Sequence, residues 1–325
     1  MEITDIYDNI FKKDVSRIFP ANYLSQANKL EHRPNHRFLI SYNRCGSNWF
    51  IYIVQLILSS AENTDPVDDE NYIIESVGLR ALDMTRKMMS KTTSNSSSNV
   101  NTNGAIVNDT MTVDNDDEED IVFLKTDYTC DNFPLNSMAR YMLLMRNPKD
   151  VYHAFYQAID NLIRSEHRGL KIGEIKQYDK LLDYWLSDSI PDCYNYFTYV
   201  KQYWLRYRRE PNFQFILYED MKLEPRKAIE TIAMFLGDNY VRRLSRVMDS
   251  GTGETLLDRI ERLSTMDTMK PMFDKQDSWR LRKGLIGNWR SHLTREQSDA
   301  IDRKAADKWT GTGLELLWER ELKWE

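Results

Sequence analysis

The chain has 325 residues, 41% hydrophobic and 29% charged, enough for one large α/β domain or two small ones. Its formal net charge of −6 argues against a broad basic face for nucleic acid, so an anionic ligand would have to meet a local cluster of Lys and Arg. No run of about 18 apolar residues is present to span a membrane, and the N-terminal stretch lacks the basic and apolar regions of a signal peptide. Cys45, Cys130 and Cys193 are odd in number and far apart, which suits a reducing, cytoplasmic setting without a disulfide framework. With no CxxC or HExxH, no metal site is expected.

In chain order, residues 1–36 read as a helix followed by a polar entry to the first strand, with His32 and His36 as surface residues. Phe38 to Ser41 is a short apolar run that predicts a buried strand. Tyr42 to Ser47 is polar and contains a glycine, and from Trp49 the apolar residues Trp49, Ile53, Leu56 and Ile57 recur at helical spacing. Strand, tight turn and helix in succession are the layout of a phosphate-binding loop. The N–H groups of the first helical turn have no intrahelical partner and can donate to an anion. Gly46 lets the backbone come close to it, Arg44 adds a charge, and Ser47 and Asn48 add donors. The plainer alternative is a βα turn in which Ser47 or Asn48 caps the helix. No Walker A pattern is present.

Helix is expected at 71–90. Residues 91–120 are rich in Ser, Asn, Thr and Asp and nearly free of apolar side chains, which reads as a disordered insertion. Ile121 to Lys125 and Tyr141 to Met145 are further buried strands, the second followed by Arg146 to Asp150 and a helix from Val151. Helices are expected through Ile172–Leu186 and Cys193–Arg208, a strand at Phe213–Leu217, and a helix from Pro225 to Leu236 closed by Gly237. Alternation of short apolar strands with helices predicts a single α/β domain. Its parallel sheet is flanked by helices on both faces. Ligands bind such sheets outside the carboxyl ends of the strands. Arg44–Asn48, Lys125–Asp127, Arg146–Asp150 and Tyr218–Asp220 all fall there, and the C-terminal third adds Arg282-Lys283-Gly284 and Gly287-Asn288-Trp289.

In this order the pieces resemble the cytosolic sulfotransferase family, from about Arg33 to Gly313. YNRCGSNW at Tyr42–Trp49 is similar to the family's YPKSGTTW, and Lys125-Thr126-Asp127 to its KTH. RNPKDV at Arg146–Val151 is its second signature, YEDMK at Tyr218–Lys222 matches unchanged, and RKG with GNW resembles RKGxxGDW. The resemblance implies a domain that binds 3′-phosphoadenosine 5′-phosphosulfate and moves its sulfuryl group to a hydroxyl or amine of a small, apolar or phenolic acceptor. Adenosine 3′,5′-bisphosphate would be the product. Carried over by position, Arg44, Cys45, Gly46, Ser47, Asn48 and Trp49 would hold the 5′ phosphosulfate. Arg146, Arg282, Lys283 and Gly284 would hold the 3′ phosphate, with Ala154 where the family has a serine. Tyr218 and Trp49 would meet the adenine beside Ser264, Thr265 and Met266.

The catalytic set implied is Asp127, Lys125 and Arg44. Asp127 stands in place of the family's catalytic histidine, and Arg44 in place of a lysine that reaches the bridging oxygen. A carboxylate of ordinary pKa about 3.9 is a weaker base than imidazole at about 6.5, so binding of the donor is better supported than catalysis. The alternative is a nucleotide-binding pseudoenzyme; a P-loop kinase is a weaker third reading. His153 reads as a satisfied helical histidine, and Tyr194 to Trp204 as core or as one wall of an acceptor pocket. The family's dimer segment, KxxxTVxxxE, falls on Arg290, Thr294, Arg295 and Asp299. Arginine at 295 would repel its symmetry mate, which predicts a monomer or a dimer through another surface.

Overall fold

The computed structural model describes residues 32–61, 121–131, 133, 135–166, 176–187, 195–269 and 284–324. Residues 1–31 of the expected helix and polar entry, the expected helix at 71–90, the 91–120 insertion, and Arg282 and Lys283 lie outside the described residues.

A parallel sheet has the order β2-β1-β3-β4, with β1 His36–Ser41, β2 Val122–Thr126, β3 Arg140–Met145 and β4 Phe213–Leu217. In register, Phe38 stands beside Leu124 and Tyr141, and Tyr141 beside Phe213. Those aromatic residues form one face, where Phe38 stacks on Tyr141 at 5.3 Å and Tyr141 on Phe213 at 6.1 Å between centroids. Helix α4, Tyr196–Tyr207, covers this face, with Tyr203 and Tyr207 packed on Phe213. The opposite face carries Phe123, which stacks on Phe50 of α1, Ser47–Leu58. Helices therefore lie on both faces, as the apolar strands require.

From β1 the chain goes to β2 on one side and then crosses back to β3 on the other. The loops after β1 and β3 consequently diverge, opening a crevice at the carboxyl ends of these strands. Helix α2, Pro148–Glu166, starts three residues before the expected Val151. Proline is tolerated in the first helical turn, where its missing N–H is not needed, and the Asn147 side chain accepts from Lys149 N at 2.8 Å.

Helix α3, Lys176–Leu186, comes next, and α4 begins where the Asn195 side chain accepts from Thr198 N. After β4 come α5 Tyr218–Leu223, α6 Pro225–Leu236, α7 Asp238–Leu244, a β5–β6 hairpin (Val247–Asp249, Glu254–Thr255), α8 Leu256–Leu263 and α9 Met266–Met269. Neither α5 nor the hairpin is expected from the sequence, because both are too short for periodicity to register. Helix α10, Arg295–Trp309, completes the described set. Among the described residues, no helix is long and apolar enough to cross a membrane.

His32 and His36 are buried rather than at the surface. His32 lies among Phe38, Phe133 and Tyr141, with Nδ1 2.5 Å from the Tyr141 hydroxyl, and burial lowers its pKa. The two residues enter the aromatic face of the sheet, which their polar sequence neighbours disguise.

Candidate functional site

The loop after β1 is built around two left-handed residues, Arg44 with φ 73° and Gly46 with φ 104°. Gly46 is the N-cap of α1, and no side chain caps the helix. The plainer reading of Ser47 or Asn48 as a cap therefore does not hold, and both flank the open end of α1 half-buried. Glycine at 46 also has a packing cause: a Cβ there would lie 2.6 Å from Cδ2 of Tyr218. Its expected service to an anion is thus joined by service to an aromatic ring. Cys45 turns its side chain into the core, where burial pushes the thiol well above its ordinary range. Only its backbone is available to a ligand in the loop.

Arg146 directly follows β3, on the far side of the crevice. Its guanidinium lies 4.1 Å from the centre of the Tyr218 ring and donates to the carbonyls of Arg44 and Leu285, each at 3.3 Å. Its Nε is buried without a hydrogen-bond partner among the described residues. Trp49 meets Tyr218 edge-on at 5.6 Å and donates through Nε1 to the Ser264 carbonyl at 2.8 Å. Gly284, at φ 59°, closes the other side. A Cβ on it would come within 2.8 Å of Met266 Cγ and 3.3 Å of the Tyr218 hydroxyl. Tyr218 is therefore the hub that joins Gly46, Trp49, Arg146 and Gly284, four positions remote in sequence. Thr265 does not turn into this cluster: its side chain is exposed and its hydroxyl lies 2.8 Å from that of Thr268. Ala154 is buried on α2.

Lys125 and Asp127, at the end of β2, form a buried ion pair in which Nζ is 2.7 Å from Oδ1 and 2.9 Å from Oδ2. Both carboxylate oxygens thus face the ammonium. The segment after Gly284 is pinned to α2: Asp150 accepts from Gly287 N at 2.7 Å and Trp289 N at 3.2 Å. His153 is buried as expected, with Nε2 3.0 Å from Asn288 Nδ2 and its ring stacked on His292 at 4.1 Å. The aromatic residues of α4 favour packing over a pocket wall, since Tyr196, Phe197, Tyr199 and Tyr203 are all buried; Tyr194 lies outside the described residues.

A model of the sulfotransferase domain matches residues 34–313. The chain belongs to the sulfotransferase-domain family. It is 26% identical over 187 residues to sulfotransferase 2A1 of Macaca fascicularis, taking in 57% of this chain and 61% of that protein. It is 26% identical over 200 residues to an amine sulfotransferase of Oryctolagus cuniculus, taking in 57% and 59%. The match thus spans about three-fifths of the length of these curated relatives. The fold is that of mouse sulfotransferase SULT7A1, solved in complex with PAP, with a TM-score of 0.59, 16% identity and coverage of 91% of this chain and 92% of that one.

Behind the cluster lie Glu219, which the sequence places among the polar groups at the strand ends, and Trp318, which it does not single out. Glu219 is buried and accepts from Asn147 N and from Trp318 Nε1, both at 2.9 Å. A carboxylate two residues after the end of β4 was the available signal for Glu219. For Trp318 it was the need of any buried indole N–H for an acceptor.

Proposed function

We propose that the chain is a sulfotransferase that binds 3′-phosphoadenosine 5′-phosphosulfate and moves its sulfuryl group to a hydroxyl or amine of a small, apolar or phenolic acceptor. The observation that carries this reading is the crevice in which Arg146, the uncapped start of α1 and Gly284 surround Tyr218. A ligand with separated anionic groups and a flat base needs clustered cations, free backbone donors and an aromatic contact. Arg146 against the Tyr218 ring and the uncapped start of α1 support this reading, and the buried Nε of Arg146, without a partner among the described residues, leaves a donor to satisfy.

In this reading Arg44, Gly46, Ser47 and Asn48 hold the phosphosulfate end. Arg146 and Gly284, joined by Arg282 and Lys283, hold the 3′ phosphate, and Tyr218, Trp49, Ser264 and Met266 meet the adenine. The bound donor supplies the sulfuryl group; the chain contributes position and charge. The acceptor oxygen or nitrogen forms the new bond to sulfur as the bond to the bridging phosphate oxygen breaks. The acceptor's proton passes to Asp127 or to water. The fitting cellular setting is the cytoplasm, and neither nucleic acid nor a membrane is a partner.

One observation favours the alternative, a nucleotide-binding protein without transfer: Lys125 forms a buried ion pair with Asp127, the implied base, and donates to its Oδ2. Incubation with radiolabelled donor and a panel of phenols, alcohols and amines decides between the two. Labelled product with at least one acceptor is the expected result. Binding of nucleotide with no labelled product across the panel would leave the pseudoenzyme.

A further inference from the structure

The last described segment of the chain reaches the crevice from behind. Trp318 is fully buried, tilted against Trp309 of α10 at 5.5 Å, and its Nε1 donates to Oε2 of Glu219 at 2.9 Å. Oε1 of the same carboxylate accepts from Asn147 N at 2.9 Å. Asn147 follows Arg146, and Glu219 follows Tyr218, so one carboxylate ties together the two residues whose side chains stack in the site. The segment itself is anchored twice more. Lys149 donates through Nζ to the Leu322 carbonyl at 2.7 Å, and Arg290 donates to the carbonyls of Glu321, Lys323 and Trp324.

We infer that Trp318 is a positioning residue for the nucleotide site: it orients Glu219, which fixes the Arg146–Asn147 turn against Tyr218. The inference rests on the proposed donor-binding reading of that site. A carboxylate has two oxygens to give. One used by Asn147 N and the other by an indole N–H leave it no freedom to rotate. Removing either donor frees it within a buried site where rotation moves Asn147 and, with it, the arginine. The groups that face this carboxylate are the Arg146 guanidinium, the Cys45 thiol and the Tyr196 hydroxyl. Burial raises the Glu219 pKa to about 7, partly offset by Asn147 N, Arg146 and Trp318, so its charge is sensitive to pH near neutrality.

The test uses the full chain and adenosine 3′,5′-bisphosphate, with affinity measured by calorimetry from about pH 6 to about pH 8. The ligand's own phosphates titrate near the lower limit, so the Glu219 component is the part of the profile that disappears in Glu219→Gln. Trp318→Phe keeps an aromatic ring but lacks the donor. It should bind about tenfold more weakly at neutral pH, and the Glu219 component should move to higher pH because a contact favouring the carboxylate is lost. Equal weakening at every pH with an unmoved midpoint marks Trp318 as packing alone and overturns the inference, as does unchanged affinity. Should Trp318→Phe not fold, the indole N–H resonance of Trp318 in ligand-free wild type serves instead. It should titrate with a midpoint near neutral pH, and a resonance that does not move overturns the inference. Because that measurement needs no ligand, failure of the inference remains distinct from failure of nucleotide binding.

Discussion

Arg146 is where charge, stacking and backbone geometry meet, and its replacement has the most direct consequence. Arg146→Ala removes a guanidinium that lies on Tyr218 and bridges the carbonyls of Arg44 and Leu285. Loss of a charge-assisted contact is worth roughly 1.5–3 kcal/mol, so nucleotide affinity should fall by at least about tenfold in calorimetry. Gly46→Ala is expected to be worse, since it combines a left-handed φ with a Cβ 2.6 Å from the Tyr218 ring. It should lower both the melting temperature and nucleotide affinity. Asp127 makes a third case. Asp127→Ala leaves the buried Lys125 ammonium without its carboxylate, which typically costs about 3–5 kcal/mol. The denaturation midpoint should drop accordingly; a midpoint equal to wild type would show the pair to be of no structural weight.

At the scale of elements, the strands and the loop between β1 and α1 were legible because their signals are local. An apolar run of strand length, a glycine-bearing polar turn and helical spacing from Trp49 lie within one short stretch. What joins the elements was not legible. Nothing in the spacing shows that Gly46 is needed to clear Tyr218, because that depends on packing between segments remote in sequence. The burial of His32 and His36 was hidden for the same reason. Helix α5, which carries Glu219, supplies a pH dependence. The folded pKa of Glu219, about 7, lies above its ordinary 4.5. The folded state therefore holds the extra proton between those values, and stability present below the lower value is lost as pH rises through the upper one. The loss is on the order of 3 kcal/mol. Denaturation in urea at about pH 5 and about pH 8 should show it in wild type, and Glu219→Gln should remove most of it.

For the whole molecule, the segment that would match the family's dimer motif is used within the chain. Arg290 donates to carbonyls of the last described segment, Thr294 caps α10, and Arg295 pairs with Asp299 at 3.3 Å. Light scattering is expected to give a monomer, or a dimer that survives changes at Thr294 and Arg295. The stretch 91–120 falls inside the family match but outside the described residues. Its composition offers little to bury, so deletion of Lys91–Glu119 should leave nucleotide affinity unchanged. The functional reading depends on the crevice between β1 and β3 being a nucleotide site. Calorimetric titration of the wild-type chain with adenosine 3′,5′-bisphosphate tests that most directly. Saturable binding at one site per chain, weakened in Arg146→Ala, is the predicted result. No heat of binding up to millimolar nucleotide from a folded wild-type chain would contradict it.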